Sequence, residues 1–131
     1  MKRILVVEDN ETNMYLIRFI LEKSGYEVIE AKDGASGVEL AIKEKPDLII
    51  MDLQLPDIDG LEATKRIRAS KADGKIPIIA LTSYAMASDR EKALAVGCTG
   101  YISKPINPET FMAEIEKYLL TGEAHQKGVE R

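Results

Sequence analysis

The sequence is poor in residues that form covalent or metal cross-links. Its 131 residues include one cysteine, Cys98, one histidine, His125, and no tryptophan. A lone thiol excludes an internal disulfide and a cysteine metal cluster. We interpret Cys98 as a packing residue and His125 as part of a polar C-terminal segment. The composition therefore indicates one domain that folds on its hydrophobic core alone, in a reducing compartment.

Long apolar runs and an excess of basic charge are also missing. The apolar stretches, such as Leu48 to Met51, are far shorter than the roughly 20 residues that span a bilayer. The first apolar run is too short for a secretory signal. With 18 basic and 22 acidic residues the net charge is −4, so no basic field is available to hold nucleic acid. We therefore expect a cytoplasmic protein with neither a membrane nor a nucleic-acid partner.

Five short apolar runs alternate with helical patterns over residues 1–120. They predict strands at residues 4–7, 26–31, 47–52, 78–81 and 100–103. The third run is continuously apolar between two acids, as in a central strand that is covered on both faces, whereas the second alternates like an edge strand. The alternation predicts a doubly wound α/β fold with a five-stranded parallel sheet. Residues 121–131 are polar and aperiodic, and we expect them to form a disordered tail.

The helices are predicted from caps and apolar spacing. Asn10 or Thr12 can cap the first helix, and Asn107 followed by Pro108 starts the last one. The fourth helix is rich in alanine and offers little apolar area to anchor it. The residues that we expect on buried faces are Met14, Phe19 and Ile20 in the first helix, Val38, Ala41 and Ile42 in the second, and Phe111, Ile115, Tyr118 and Leu119 in the last.

Charged and hydroxyl side chains follow four of the five predicted strands. They are Glu8 and Asp9, Asp52, Thr82 and Lys104. In open parallel sheets ligands bind at the carboxyl ends of the strands, so neighbouring strands would bring these groups together. Each residue alone is equally compatible with a cap, a turn or an exposed position. Together, three carboxylates repel one another unless a cation intervenes, and oxygen ligands without histidine or cysteine favour Mg²⁺ over zinc.

Five motifs in this order resemble the receiver domain of two-component response regulators. They are Val6–Asn10, Leu48–Pro56, Asp59–Gly60, Leu81–Ser83 and Lys104–Pro105, within residues 2–120. The resemblance is to the single-domain kind, typified by the chemotaxis regulator and DivK. It implies a receiver domain over residues 1–120, with five helices and the flavodoxin-like strand order 2-1-3-4-5.

The resemblance also implies a role for each residue at the strand ends. Asp52 would accept a phosphoryl group from a phosphohistidine on a sensor histidine kinase or a histidine phosphotransfer protein. Glu8, Asp9, Asp52 and the backbone carbonyl of Gln54 would hold Mg²⁺. Such a protein phosphorylates and dephosphorylates itself but is not otherwise an enzyme.

The remaining implied roles concern the phosphoryl group and the output surface. Thr82 and Lys104 would contact phosphoryl oxygens, with a cis bond between Lys104 and Pro105, and Tyr101 would be the aromatic switch residue. Gln54, two residues after Asp52, and Tyr84, two residues after Thr82, would border the path of attacking water. The signal would leave through the fourth helix, fifth strand and last helix. We expect a monomer, with that face as the place for any weak dimer.

Three other interpretations remain open. A haloacid-dehalogenase-type phosphatase also has a nucleophilic aspartate after a strand, but it needs a second acid where Gln54 stands. A flavodoxin-type module needs a hydroxyl-rich loop where this chain has Glu8, Asp9 and Asn10. A receiver domain from a hybrid histidine kinase would carry the same motifs. The start of the chain just before the first strand and the short tail favour a stand-alone regulator.

Overall fold

Strands and helices alternate strictly along the chain. The computed structural model describes residues 2–70, 75–83 and 87–126, with the backbone alone for residues 120–126. Within these residues there are five strands, β1 (Arg3–Val7), β2 (Glu27–Ala31), β3 (Leu48–Asp52), β4 (Ile78–Thr82) and β5 (Gly100–Ser103). The helices that separate and follow them are α1 (Glu11–Lys23), α2 (Gly34–Glu44), α3 (Gly60–Ala69), α4 (Ala87–Ala95) and α5 (Pro108–Gln126).

The strands form one parallel sheet in the order β2-β1-β3-β4-β5. The predicted fold class and strand order are therefore confirmed. β3 lies at the centre and all five of its residues are buried, as its continuous apolar run predicts. β2 forms one edge of the sheet, and only its last residue, Ala31, is fully buried.

Successive residues of each strand supply the two faces of the sheet with separate hydrophobic cores. Ile4 and Val6 of β1 pack with residues of α1 and α5, whereas Leu5 and Val7 pack with residues of α2, α3 and α4. This period of two is the expected consequence of the strand pleat. Helices on both faces leave the two ends of the sheet open, and the carboxyl ends of the strands meet at one of them.

Two of the expected core positions are wrong. Phe19 of α1 is 52% exposed, and Ile42 of α2 is 38% exposed. In α1 the buried residues are Met14, Ile17, Ile20 and Leu21, and at about 100° per residue Phe19 falls outside their stripe. Tyr15 lies one helical turn before Phe19 on the same side of α1 and is also exposed. Apolar character alone did not distinguish the buried stripe from the adjacent one.

The last helix begins as its sequence predicts. The side chain of Asn107 accepts a hydrogen bond from the Glu109 N–H at 2.9 Å, and its carbonyl accepts one from the Phe111 N–H at 2.9 Å. α5 then continues to Gln126, past residue 120, where the expected tail begins. The expectation for residues 127–131 lies outside the described residues. Across the described part of the chain, no helix combines the length and the apolarity needed to cross a bilayer.

Candidate functional site

The register of the sheet brings four strand ends to one edge. Val7 pairs with Met51, Asp52 with Leu81, and Thr82 with Ser103. The residues at or just beyond these pairs are those that the sequence analysis selected. Carboxylate oxygens of Glu8, Asp9 and Asp52 all lie within 4.8 Å of one another. The parallel topology thus creates a cluster of three acids from distant parts of the sequence.

Two of these three acids are removed from water. Glu8 and Asp52 are each 1% exposed, whereas Asp9 is exposed. One carboxylate oxygen of Glu8, Oε2, accepts a hydrogen bond from the Asn10 N–H at 3.0 Å. The other, Oε1, is the one buried side-chain polar atom among the described residues that lacks a hydrogen-bond partner. A buried anionic oxygen without a donor is costly, so this site favours a proton or a cation.

Lys104 brings a positive charge to this cluster of acids. Its Nζ donates a hydrogen bond to Oδ2 of Asp52 at 3.0 Å and lies 3.3 Å from Oε1 of Glu8. The second contact is close enough for an ion pair but is not aligned as a hydrogen bond. Burial lowers the pKa of Lys104, but the hydrogen bond and the charges of Asp52 and Glu8 outweigh it, so the pKa is raised overall. Lys104 therefore stays charged at neutral pH. The Lys104–Pro105 bond is cis.

The carboxyl group of Glu8 has a pKa close to neutral pH. Burial, followed by the close approach of the Asp52 carboxylate, raises the pKa of Glu8 from 4.5 to about 7. The Asn10 N–H and the Lys104 ammonium lower this pKa, but only in part. The unpartnered Oε1 and the all-oxygen donor set fit a hard divalent cation such as Mg²⁺.

Asp52 and Thr82 are linked by Gln54. The Gln54 N–H donates to Oδ1 of Asp52 at 3.0 Å, and the Gln54 side-chain Nε2 donates to Oγ1 of Thr82 at 3.3 Å. Thr82 is 1% exposed. From the sequence, Gln54 was expected to offer its backbone carbonyl to the metal and to border the path of attacking water, but its side-chain contact with Thr82 was not predicted. The hypothesis about Tyr84 lies outside the described residues.

Tyr101 lies on the edge strand β5, beside α4. It pairs with Ala80 of β4 and is partly buried. The guanidinium of Arg90 lies 5.4 Å from the centre of its ring, within the range of a cation–π contact. Ala93 is the one buried residue of α4, so this helix contributes little to the core. The prediction that α4 is weakly anchored agrees with this burial.

An exposed pair of aromatic residues on α1 lies next to the acidic cluster. Tyr15 is 72% exposed, and its ring stacks on that of Phe19 with 6.4 Å between the centroids. Both residues line a cavity of about 360 Å³ that Glu8 and Asp9 also line. This surface was not predicted, because Phe19 was expected in the core. A helical wheel that places Met14, Ile17 and Leu21 inside would have found it.

Comparison with known proteins identifies the family of this fold and site. The family model described as the response regulator receiver domain matches residues 4–116. The chain therefore belongs to the response regulator receiver domain family of two-component systems. It is a signalling protein rather than an enzyme in the usual sense. Receiver domains interact with histidine kinases or phosphotransfer proteins and bind Mg²⁺ at an acidic pocket.

Curated relatives and solved structures agree with this assignment. The chain is 46% identical to the polar-differentiation response regulator DivK of Brucella anthropi over 118 residues, which are 90% of this chain and 96% of the relative. A CheY-like receiver domain protein from Methanospirillum hungatei has a TM-score of 0.88 at 31% identity, covering 95% and 98% of the two chains. The receiver domain of a sensor histidine kinase from Pseudomonas aeruginosa, described with magnesium in its active-site cleft, has a TM-score of 0.83 at 37% identity, covering 90% and 97%.

Proposed function

We propose that this protein is a DivK-like phospho-acceptor in which Asp52 takes a phosphoryl group from a phosphohistidine of a kinase or phosphotransfer protein. The main support for this proposal is the pair of hydrogen bonds around the Asp52 carboxylate. Oδ1 accepts from the Gln54 N–H and Oδ2 from the Lys104 ammonium, at 3.0 Å each. Donors on both oxygens fix the carboxylate in one orientation, and phosphoryl transfer depends chiefly on positioning and on neutralisation of charge.

Glu8, Asp9, Asp52 and the Gln54 carbonyl are the proposed Mg²⁺ ligands. Oε1 of Glu8, which has no hydrogen-bond partner, and the close approach of the three carboxylates support this set. When bound, the metal supplies positive charge next to the transferring phosphoryl oxygens. The protein's own part is to hold the Asp52 carboxylate in place through its two hydrogen-bond donors. Its charge contact with Lys104 serves this role in the absence of the metal.

Thr82 and Lys104 would contact the phosphoryl oxygens after transfer. The phosphoryl group adds acceptor oxygens that the carboxylate lacks, and the Thr82 hydroxyl at the end of β4 can donate to one of them. In the structure Oγ1 of Thr82 already accepts from the Gln54 amide. A shift of Thr82 towards the phosphoryl group must therefore rearrange or break that hydrogen bond.

The signal would leave through α4, β5 and α5. Thr82 pairs with Ser103 of β5, and Tyr101 on the same strand carries the Arg90 contact from α4. Since α4 buries only Ala93, a small energy change at Thr82 is enough to shift its position. This face is also where a weak dimer of an otherwise monomeric protein would form.

The phosphodonor would dock on α1. The stacked pair of Tyr15 and Phe19 offers exposed aromatic area beside the acidic cluster. A helix of the donor that packs there would bring its phosphohistidine close to Asp52, as in-line transfer requires. No finding favours the dehalogenase-type or flavodoxin-type interpretation. The receiver domain from Pseudomonas aeruginosa belongs to a sensor kinase, so a role within a hybrid kinase remains the alternative setting for the same chemistry.

The direct test is phosphorylation by acetyl phosphate and Mg²⁺ without a kinase. The wild-type protein should gain one phosphoryl group, measured by intact-protein mass spectrometry, and Asp52→Asn should gain none. Asp47→Asn is the matched control because Asp47 is exposed just before the opposite end of the same strand. A phosphoryl group retained by the Asp52→Asn protein would refute the assignment.

A further inference from the structure

The loop between β3 and α3, residues 53–59, is attached to a helix that follows a different strand. Both carboxylate oxygens of Asp57 accept hydrogen bonds from the first turn of α2. The Gly34 N–H donates to Oδ1 at 2.7 Å and the Ala35 N–H donates to Oδ2 at 2.9 Å. The next helical N–H, that of Ser36, is capped locally by Asp33 at 2.8 Å. The start of α2 is thus satisfied by two aspartates, one of which comes from the loop.

The loop and the helix also touch through their backbones. A Cβ atom added at Gly34 would overlap the side chain of Ile58 and would lie 2.8 Å from the Ile58 carbonyl oxygen. Only glycine permits this approach. The two hydrogen bonds of Asp57 therefore act together with a close steric contact, and together they fix the middle of the loop against α2.

The same loop contributes one residue, Gln54, to the proposed metal and phosphoryl site. Its second residue is Gln54, whose N–H donates to Oδ1 of Asp52. The end of the loop is held by a hydrogen bond from the Gly60 N–H to the Leu53 carbonyl at 3.1 Å. Between Gln54 and Asp57 lies Pro56, whose ring fixes its φ angle. Only Leu55 and Pro56 separate Gln54 from Asp57, so the attachment of Asp57 to α2 restricts how far Gln54 can move.

We propose that Asp57 is a positioning residue for this site, which ties the loop to α2 and so holds Gln54 against Asp52. The inference rests on the proposed function, because it gives the Gln54 carbonyl a place among the metal ligands. Asp57 is not a member of the carboxylate cluster of Glu8, Asp9 and Asp52. The hydrogen bonds from Ala35 and Gly34 lower the pKa of Asp57, so the carboxylate stays ionised at neutral pH.

The test compares Asp57→Ala with Asp33→Ala. Both changes remove a negative charge and a cap from the start of α2, but only the first releases the loop. Two properties are measured, the dissociation constant of Mg²⁺ by calorimetry and the hydrogen-exchange rate of the Gln54 amide. Asp57→Ala should weaken Mg²⁺ binding about tenfold, a typical effect of losing a residue that orients a ligand, and should speed the exchange. Equal effects of the two variants, or none from Asp57→Ala, overturn the proposal.

A second variant separates the tether from the charge. Asp57→Asn removes the charge but keeps one acceptor oxygen, so it should weaken Mg²⁺ binding less than Asp57→Ala does. An equal or larger loss in the Asn variant overturns the proposal, since charge would then be the cause. Neither measurement requires phosphorylation. A wild-type protein that fails to phosphorylate would count against the proposed function, whereas the exchange rate at Gln54 reports on Asp57 alone.

Discussion

Glu8 makes the stability of the metal-free protein depend on pH in an unusual direction. Its carboxyl group is 1% exposed, and its pKa is raised from 4.5 to about 7, first by burial and then by the nearby Asp52 carboxylate. A group whose pKa is higher in the folded state binds its proton more tightly there. Its contribution to stability is therefore complete below pH 4.5 and is lost as the pH rises through about 7.

The magnitude follows from the size of the pKa shift. At about 1.4 kcal/mol per unit, titration of Glu8 should cost about 3 kcal/mol of unfolding free energy between about pH 5 and pH 8. Other resolved shifts do not act in this window. The pKa of Lys104 is raised from 10.5, and that of Asp57 is lowered from 3.8, so its contribution to stability is lost only as the pH falls through that acidic range. The loss of stability towards neutral pH should come from Glu8 alone.

The assay is urea unfolding followed by far-UV circular dichroism, in chelator, across that pH range. Glu8→Gln keeps the shape and an acceptor for the Asn10 N–H but cannot titrate, so its stability should be nearly independent of pH. Glu39→Gln, at an exposed position of α2, is the matched control and should keep the wild-type slope. Saturating Mg²⁺ should reverse the slope, because the metal binds the deprotonated carboxylate. A Glu8→Gln protein with the wild-type slope would refute this reasoning.

Three further predictions concern the site and its two surfaces. Asp9→Asn should weaken Mg²⁺ binding and phosphorylation by acetyl phosphate together, and unchanged phosphorylation in excess chelator would show that the metal role is wrong. Thr82→Ala should still be phosphorylated but should lose phosphate-dependent partner binding in a pull-down; normal binding by the phosphorylated variant would remove Thr82 from the switch. Phe19→Ala should slow transfer from the kinase at least several-fold while leaving acetyl phosphate labelling unchanged. Leu94→Ala, an exposed apolar position on α4, is its control, and the opposite pattern would contradict docking on α1.

The fold was predictable because its signals are local and repeated. The continuous apolar run of β3 and the alternating run of β2 correctly predicted a central and an edge strand. The cap at Asn107 correctly marked the start of α5. The order of the strands could not be predicted in this way, because no local pattern determines which strands are neighbours. It was predicted only from the family resemblance.

The residues of the candidate site could be predicted from the sequence, but the contacts between them could not. Glu8, Asp9, Asp52, Thr82 and Lys104 were all selected as residues at the ends of strands, and the structure brings them to one edge of the sheet. The assigned roles stay predictions.

What the sequence could not predict were contacts across elements. The Gln54 amide reaches Thr82, which is 28 residues away, and Asp57 reaches Gly34 across 23 residues. Phe19 was misplaced for a related reason. Its exposure depends on which stripe of α1 faces the sheet, and that is decided by tertiary packing.

The charges at the site explain why metal binding and phosphorylation should depend on each other. Glu8, Asp9 and Asp52 carry three negative charges when ionised, and Lys104 contributes one positive charge through its contacts with Asp52 and Glu8. An excess of negative charge remains, and it adds to burial, the main cause, in holding a proton on Glu8 near neutral pH. A phosphoryl group on Asp52 carries about two negative charges in place of one, so it increases the excess and the affinity for a divalent cation. Because this coupling is reciprocal, the bound cation must favour the phosphorylated state by the same factor.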